Sequence, residues 1–527
     1  MTAGPVSVAT GRDERAVYRA RYLIAFAVVL ASVMELVDTS IVNVAIPHMM
    51  GELGATLSQI AWVSTGYIVA NVIILPLTSF LSDSFGRRHY YVGSIVLFTV
   101  ASFFCGNAQT LEWLVGARVV QGIGGGALIS TAQAILFDVF PQEERGMAGA
   151  IFGMGIMVGP TLGPTLGGWI TDNYSWPWIF YINIPLGILA GLLCWEYVPE
   201  PRERTQRFGI DWLGLGLLAL GIGALQILLE RGEAKDWFAS GEIVGLALAA
   251  GLGLVCFVWH ELRTEHPVVE LRILKDRQLA VGLVFGAILG FALYASVFVL
   301  PVFLQNLLGY SAETTGLVIL PGALASAFTM PIAGKLSDRM DSRPLIVIGV
   351  LLFLWSMVLH SHLTMAIGPH DLFWPMILRG VGLGLIFVPL TGVTVASLGP
   401  RQMALGTGLF NLSRQLGGSL GIAGSAVLVT HFRETAREGL REHLDPTQPQ
   451  VANWLAQVTA GLQHAGASAS EAVQRANALL TLRLEQQASV LAFERIFITM
   501  GITFTLALPL LLLFRTGRVS GKVEAGH

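Results

Sequence analysis

The stretch Leu30 to Pro47, LASVMELVDTSIVNVAIP, places two carboxylates, Glu35 and Asp38, inside an apolar run from Tyr22 to Ile46. Such a run is long enough to cross a bilayer, which takes about 20 apolar residues. An ionisable side chain near the centre of a membrane helix costs roughly 3 kcal/mol on insertion-derived scales, so two acids in one helix mark an ion or substrate pathway by default. Their spacing of three puts both on one helix face, turned toward the protein interior or a water-filled cavity. A structural pair satisfied by hydrogen bonds is the plainer alternative.

Composition agrees with a membrane protein throughout. Charged residues make up 13% of the 527-residue chain and apolar residues 54%, with 60 glycines, whereas soluble domains carry about 25% charge. The net charge of -3 carries no information about nucleic acid, and no nucleic-acid partner is expected. Cys105, Cys194 and Cys256 all fall in apolar spans, so no disulfide framework is implied. Met1 to Arg21 is polar and reads as a tail, not a cleaved signal.

Fourteen apolar spans follow, near 22-46, 59-81, 90-107, 111-136, 147-170, 178-198, 211-230, 241-259, 278-303, 315-336, 344-362, 372-396, 405-430 and 490-514. Assigning the tails and every second loop to the cytoplasm gives that side 21 Lys and Arg, against two, Arg231 and Lys235, in the short loops opposite. The expected protein is therefore multi-pass with both termini cytoplasmic. The long segment 431-489 then lies outside, where two amphipathic stretches, Gln450 to Leu462 and Ala472 to Leu491, predict two short helices.

The two ends of the chain echo each other. Asp83 in LSDSFGRR follows Pro47 by 36 residues, and Asp338 in GKLSDRMDSR follows Pro301 by 37. Arg118 in RVVQGIGGG is matched by Arg379 in RGVGLGLIF. The expected fold class is all-α and polytopic, with parallel six-helix repeats arranged as six, two inserted and six, and a substrate site near the midplane between halves. The expected divisions are a tail 1-21, a first half 22-198, the inserted pair with its loops 199-277, a second half 278-514 and a tail 515-527.

Several motifs have a physical reading of their own. Gly155, Gly159, Gly163 and Gly167, with Gly168 beside them, form a stripe without side chains against which another helix can pack. Pro160 and Pro164 interrupt the hydrogen-bond ladder of the same span, which predicts a kink. The stripe reads either as plain packing or as a mechanical element. Asp83, Arg87 and Arg88 sit on a short connector where Gly86 can take a turn conformation; basic residues there also serve as a topology signal. Arg118 lies at a depth close to that of Asp38, so the two can pair, and Glu35 offers a second carboxylate. Arg379 and Arg414 are embedded without a nearby acid in the second half; with Gln121 and Asn411 they are candidates for a substrate cavity, or they simply reach an interface. His360, His362, His370 and Asp371 lack the spacing of a zinc helix, and no metal site is expected. There is no GxxxxGK[ST] loop for a nucleotide, so energy must come from an ion gradient and no cofactor is expected. Enzymes converge nucleophile, base or metal ligands in one pocket, whereas here the embedded charges are one acid pair and scattered arginines, so no enzyme is expected.

Taken together, VDTSIVNVAIP, SFLSDSFGRR, RVVQGIGGG and GIMVGPTLGPTLGG resemble the motifs of the major facilitator superfamily, specifically its fourteen-span drug:proton antiporter branch of the EmrB/QacA type. Ser79 and Ser84 depart from the family's loop motif but leave Asp83, Gly86, Arg87 and Arg88 in place. ERGEAKDWF, after the seventh span, is similar to the EmrB group. The resemblance implies a proton-driven exporter of hydrophobic or amphipathic small molecules, with fatty acids, siderophores or peptides made by the cell as the alternative cargo. It implies that the glycine motif belongs to export. It also implies that Asp83, Gly86, Arg87 and Arg88, with Asp338, Arg339 and Arg343, latch the cytoplasmic ends of the halves. Asp38 falls in the family's first-helix motif and is expected to be the principal proton-coupling carboxylate, with Glu35 assisting and Arg118 setting when the proton leaves. The same resemblance implies a periplasmic membrane-fusion adaptor and, through it, an outer-membrane channel, with 431-489 as a candidate docking surface or a solvated insertion.

Overall fold

The computed structural model describes residues 11-141, 144-200, 211-265, 267-442 and 449-514. The outer part of the first tail, the whole tail 515-527, the basic segment 201-210 and part of 431-489 lie outside the described residues. All regular elements among the described residues are helical.

Fifteen long helices follow one another: α1 (Gly11–Leu53), α2 (Ser58–Phe85), α3 (Arg87–Gly106), α4 (Leu111–Val139), α5 (Arg145–Asn173), α6 (Trp178–Tyr197), α7 (Trp212–Arg231), α8 (Gly241–Arg263), α9 (Arg277–Leu307), α10 (Ala312–Ser337), α11 (Ser342–His360), α12 (Phe373–Val395), α13 (Pro400–Glu442), α14 (Pro449–His464) and α15 (Ala469–Thr505). Twelve regions are long and apolar enough to cross a membrane among the described residues, the last of them running from α15 on to Leu513. The 29-residue α5 and the 43-residue α13 stand where the fifth and thirteenth spans are expected.

Local chemistry sets the starts. The side chains of Thr110, Asp211, Asp276 and Ser311 accept from the first-turn N–H groups of α4, α7, α9 and α10. Such caps satisfy donors that would otherwise be orphaned at a helix end. Gly86 takes φ +87 between α2 and α3, a conformation costly for residues with a Cβ.

Packing repeats along the chain. In the first half α1 packs on α5, α2 on α4, and α3 on both α4 and α6; in the second, α9 packs on α13, α10 on α12, and α11 on both α12 and α15. The halves meet along α5 and α10 on one side. There the α5 residue Gly146 faces Gly334, Gly153 faces Met330 and Thr165 faces Gly316, so the antiparallel pair stays in contact over its length. Of the inserted pair, α8 packs mainly on α7, which itself meets α2 and α13.

The segment beyond the thirteenth span differs from its sequence reading. The first expected short helix is α14, but the second is not separate: α15 starts at a capping box, Ser468 with Glu471, and runs unbroken into the last span. No proline and no glycine before Gly501 interrupts it. α13 likewise runs on to Glu442. Arg437 of α13 pairs with Glu485 of α15 at 2.8 Å, and the Arg483 guanidinium lies 5.0 Å from the Trp454 ring centroid of α14. The three form a helical platform projecting from the bundle.

Candidate functional site

α1 carries both acids, and each finds a different environment. Asp38 is fully buried. Its Oδ2 accepts from Arg118 Nη1 at 2.5 Å, and its Oδ1 accepts from Gln121 Nε2 at 2.9 Å and Asn183 Nδ2 at 2.7 Å. Arg118, 1% exposed, also donates to Gln121 Oε1 at 2.8 Å and to the Val63 carbonyl at 3.2 Å. Its guanidinium lies 4.2 Å from the Tyr67 ring centroid, a cation–π contact that strengthens when desolvated. Ser102 closes the cluster by accepting from Gln121 at 3.2 Å and Asn183 at 2.9 Å. The expected Asp38–Arg118 pair is thus formed, with both oxygens of the carboxylate satisfied from α4 and α6.

Glu35 stands apart from it. Asn71 Nδ2 donates to Glu35 Oε1 at 2.6 Å and Tyr67 Oη at 3.4 Å, while Oε2 is buried without a partner. Neither bonded neighbour carries a charge. The charges that act on it are Asp38, one turn along α1, and more weakly Arg414 from the opposite half. Arg414 donates to Tyr294 Oη at 3.1 Å and Asn411 Oδ1 at 3.2 Å, and Asn411 Nδ2 crosses to Gln133 Oε1 of α4 at 2.8 Å. One acid therefore belongs to the first half's interior and the other looks toward the seam.

The four residues proposed for a cavity separate in the same way. Asn411 and Arg414 sit at the seam. Gln121 does not: it is 0% exposed and committed to Asp38, because its amide supplies what that carboxylate still lacks after Arg118 has bound. Arg379 is buried within the second half, with Nη1 3.4 Å from the Ser296 carbonyl. Neither Arg379 nor Arg414 forms an ion pair with an acid among the described residues.

The glycine stripe is the seat of α1. A Cβ on Gly155 would come 2.5 Å from Val29 Cγ1, on Gly159 2.8 Å from the Leu36 carbonyl carbon, on Gly163 2.7 Å from Ser40 Cβ, and on Gly167 2.8 Å from Ile41 Cγ1. Gly168 lies at the edge of this contact, 4.0 Å from Val44. Ser40 Oγ donates to the Gly159 carbonyl at 2.9 Å. α5 stays helical through Pro160 and Pro164, whose side chains lie outside the described residues. Since Leu36 and Ser40 flank Asp38, the stripe fixes the depth and rotation at which both carboxylates are presented. Gly163→Leu is expected to reduce efflux at least tenfold while membrane insertion persists, since a side chain there forces α1 away. Unimpaired efflux by a well-expressed variant would reduce the stripe to tolerated composition.

The expected latch divides. Arg87 pairs with Asp138 at the end of α4, while Arg88 and His89 share Glu200, just beyond α6, at 3.4 and 3.1 Å, so none of these pairs reaches the second half. Asp83 is exposed on the last turn of α2. These arginines find acids nearer than the opposite half, which their spacing alone does not disclose. The second copy does cross: Asp338 Oδ1 accepts from the Gly146 N–H, at the start of α5, at 2.7 Å. Burial pushes the Asp338 carboxyl up from its ordinary value, opposed by the Gly146 and Met147 N–H groups. Arg343 donates to the Phe514 carbonyl and Arg339 is exposed, so neither joins that contact.

Asn71, Asn183, Ser102 and Tyr67 were absent from the sequence reading. The amides Asn71 and Asn183, each inside an apolar run, are the signal that was available: a neutral polar group in a span also needs a partner.

Residues 28–422 match the sequence model described as Major Facilitator Superfamily. The chain is 34% identical over 499 residues to the fatty acid resistance protein FarB of Neisseria gonorrhoeae, covering 94% of this chain and 96% of that one. It is 37% identical over 432 residues to the multidrug export protein EmrB of Haemophilus influenzae, covering 81% and 84%. With EmrB of Escherichia coli K12 it shares 33% over 455 residues, covering 82% and 88%. Among solved structures it resembles the human organic anion transporter TETRAN, with TM-score 0.60, 14% identity and coverage of 93% and 99%, a likeness of fold alone.

Proposed function

The chain belongs to the Major Facilitator Superfamily, whose members are transporters rather than enzymes, and from that premise we propose that it exports hydrophobic or amphipathic compounds from the cytoplasm in exchange for protons. The observation that carries this reading is the two buried carboxylates, Glu35 and Asp38, on a helix seated against a glycine stripe, the second of them paired with Arg118 of α4. Relatives named for multidrug export support the cargo class. Alternating access then consists of the two halves rocking about the seam, with Asp338 and the start of α5 meeting on the cytoplasmic side. On this reading the chain crosses a bacterial inner membrane fourteen times, with both termini cytoplasmic. Liposomes holding the purified protein and a pH dye should report proton movement when ethidium is added against a gradient. Silence toward a panel of hydrophobic cations and weak acids would sink the reading.

A second reading has its own support. Arg379 and Arg414 are buried cations with no acid bonded to them among the described residues, and buried charge is retained in a span chiefly where it meets a partner or a cargo. An anionic amphiphile such as a fatty acid fits that gap, and FarB is named for fatty acid resistance. Competition between ethidium and a fatty acid for transport separates the two cargoes.

The platform formed by the ends of α13 and α15 with α14 is the proposed dock for a periplasmic membrane-fusion adaptor leading to an outer-membrane channel. Deleting 445-485 is expected to abolish capture of a co-expressed adaptor and to leave liposome transport intact. Undiminished capture removes the platform from the interface.

A further inference from the structure

The inserted helices have no counterpart in the repeat, yet α7 is not a passenger on the bundle surface. It lies in the seam opposite the α5–α10 contact, between α2 of the first half and α13 of the second. Near its cytoplasmic end α2 meets α13 directly: a Cβ on Gly408 would lie 2.9 Å from the Leu75 carbonyl and 3.0 Å from Thr78 Oγ1. Toward the other face α7 comes between them.

Its polar side chains hold both neighbours. Gln226, 0% exposed inside an apolar helix, donates from Nε2 to Ser419 Oγ of α13 at 2.9 Å, and Ser419 Oγ lies 3.2 Å from Gln226 Oε1. Arg231, 8% exposed, donates to the Ser58 carbonyl at the start of α2 at 3.1 Å and lies 4.7 Å from the Trp62 ring centroid. Gly223 presents no side chain where Ile73 Cδ1 of α2 would be 3.4 Å from a Cβ. A buried glutamine in a span is costly unless bonded. Here its partner is supplied by the other half of the molecule.

We propose that α7 is a strap across the outer side of this seam, fixed to the first half by Arg231 and fastened to the second by the Gln226–Ser419 pair, so that these residues position the halves in the outward-closed state. Rocking outward separates α2 from α13 and has to break one of the two attachments. The polar pair is the weaker, because Arg231 adds a cation–π contact to its hydrogen bond. The strap thus stays with the first half and releases the second.

The test needs no cargo, so it stands or falls separately from the export reading. Spin labels on Gly51 and Asn306, exposed residues at the outer ends of the two halves, report the outer separation by pulsed electron resonance in liposomes. Ser419→Ala, Gln226→Met and the two together should each raise the ratio of separated to closed molecules about threefold, the scale of one interhelical hydrogen bond in a membrane. The combined variant should show no more than either alone, because each variant already removes the whole Gln226–Ser419 contact. Leu220→Ala, on the exposed face of α7, should leave the ratio unchanged. Equal ratios in Ser419→Ala and the unsubstituted protein, or an equal rise in Leu220→Ala, would overturn the strap.

Discussion

Asp38→Asn is expected to destabilise the purified protein by about 3–5 kcal/mol, the range for removing one partner of a buried ion pair. Arg118 would keep the Gln121 and Val63 oxygens but lose its counter-charge in a site where it is 1% exposed. The new amide fits poorly as well. Asp38 Oδ1 accepts from two N–H donors and Oδ2 from the arginine, so in either orientation an NH2 group faces donors. Arg118→Gln should cost a comparable amount, because it leaves the carboxylate charge alone. The double substitution should recover much of the loss, since no unpaired charge remains and an amide can bond to an amide. Thermal inactivation of the four detergent-solubilised proteins completes the cycle. Single variants as durable as the unsubstituted protein, or a double variant damaged by the sum of both, would show that the pair is not a unit.

What could be read from the sequence was what lipid makes expensive. Charge in a span and a row of glycines leave marks that survive without an alignment, so the acids of α1, Arg118 and the α5 stripe were all visible in advance. Partner choice was not. Glu35 and Asp38 are three residues apart and lie about 60° apart around the helix, which suffices for one to enter the Asp38–Asn183 cluster and the other to face the seam. A common face was the right inference and a common environment did not follow from it. Arg87 and Arg88 show the same gap, as Asp138 and Glu200 are distant in the chain and meet them only through packing. The length of α15 escaped for another reason. Its polarity changes where it enters the span, and that change was read as a boundary, but a helical backbone responds to breakers and caps rather than to the solvent outside.

On the proposed exchange of cargo for protons, Glu35→Gln, rather than the substitution at Asp38 to which the first-helix motif points, is expected to abolish cargo-dependent proton release while cargo binding persists. Asp38 carries its counter-charge with it in every position of the first half, since Arg118 belongs to the same six helices. Among the described residues Glu35 has no cation bonded: its donors are the neutral Asn71 and Tyr67, and Oε2 has no partner there. A carboxylate inside a membrane needs a counter-charge, and two are available, a proton or Arg414 from across the seam. α1 and α13 lie in different halves, so rocking changes the separation of Glu35 and Arg414. Near the arginine the carboxylate can release its proton, and away from it a proton must return, which ties proton exchange to the movement that carries cargo. Glutamine keeps the length of the side chain and an oxygen for Asn71 but has no proton to exchange. Glu35→Asp should retain part of the coupling, because the acid survives at a shorter reach. Arg414→Gln should weaken the coupling, since the counter-charge that competes with the proton is then gone. Proton release per ethidium in liposomes measures all three variants. If Glu35→Gln releases protons at the unsubstituted ratio, the exchanging group is Asp38, and the Arg118 pair must open during each cycle.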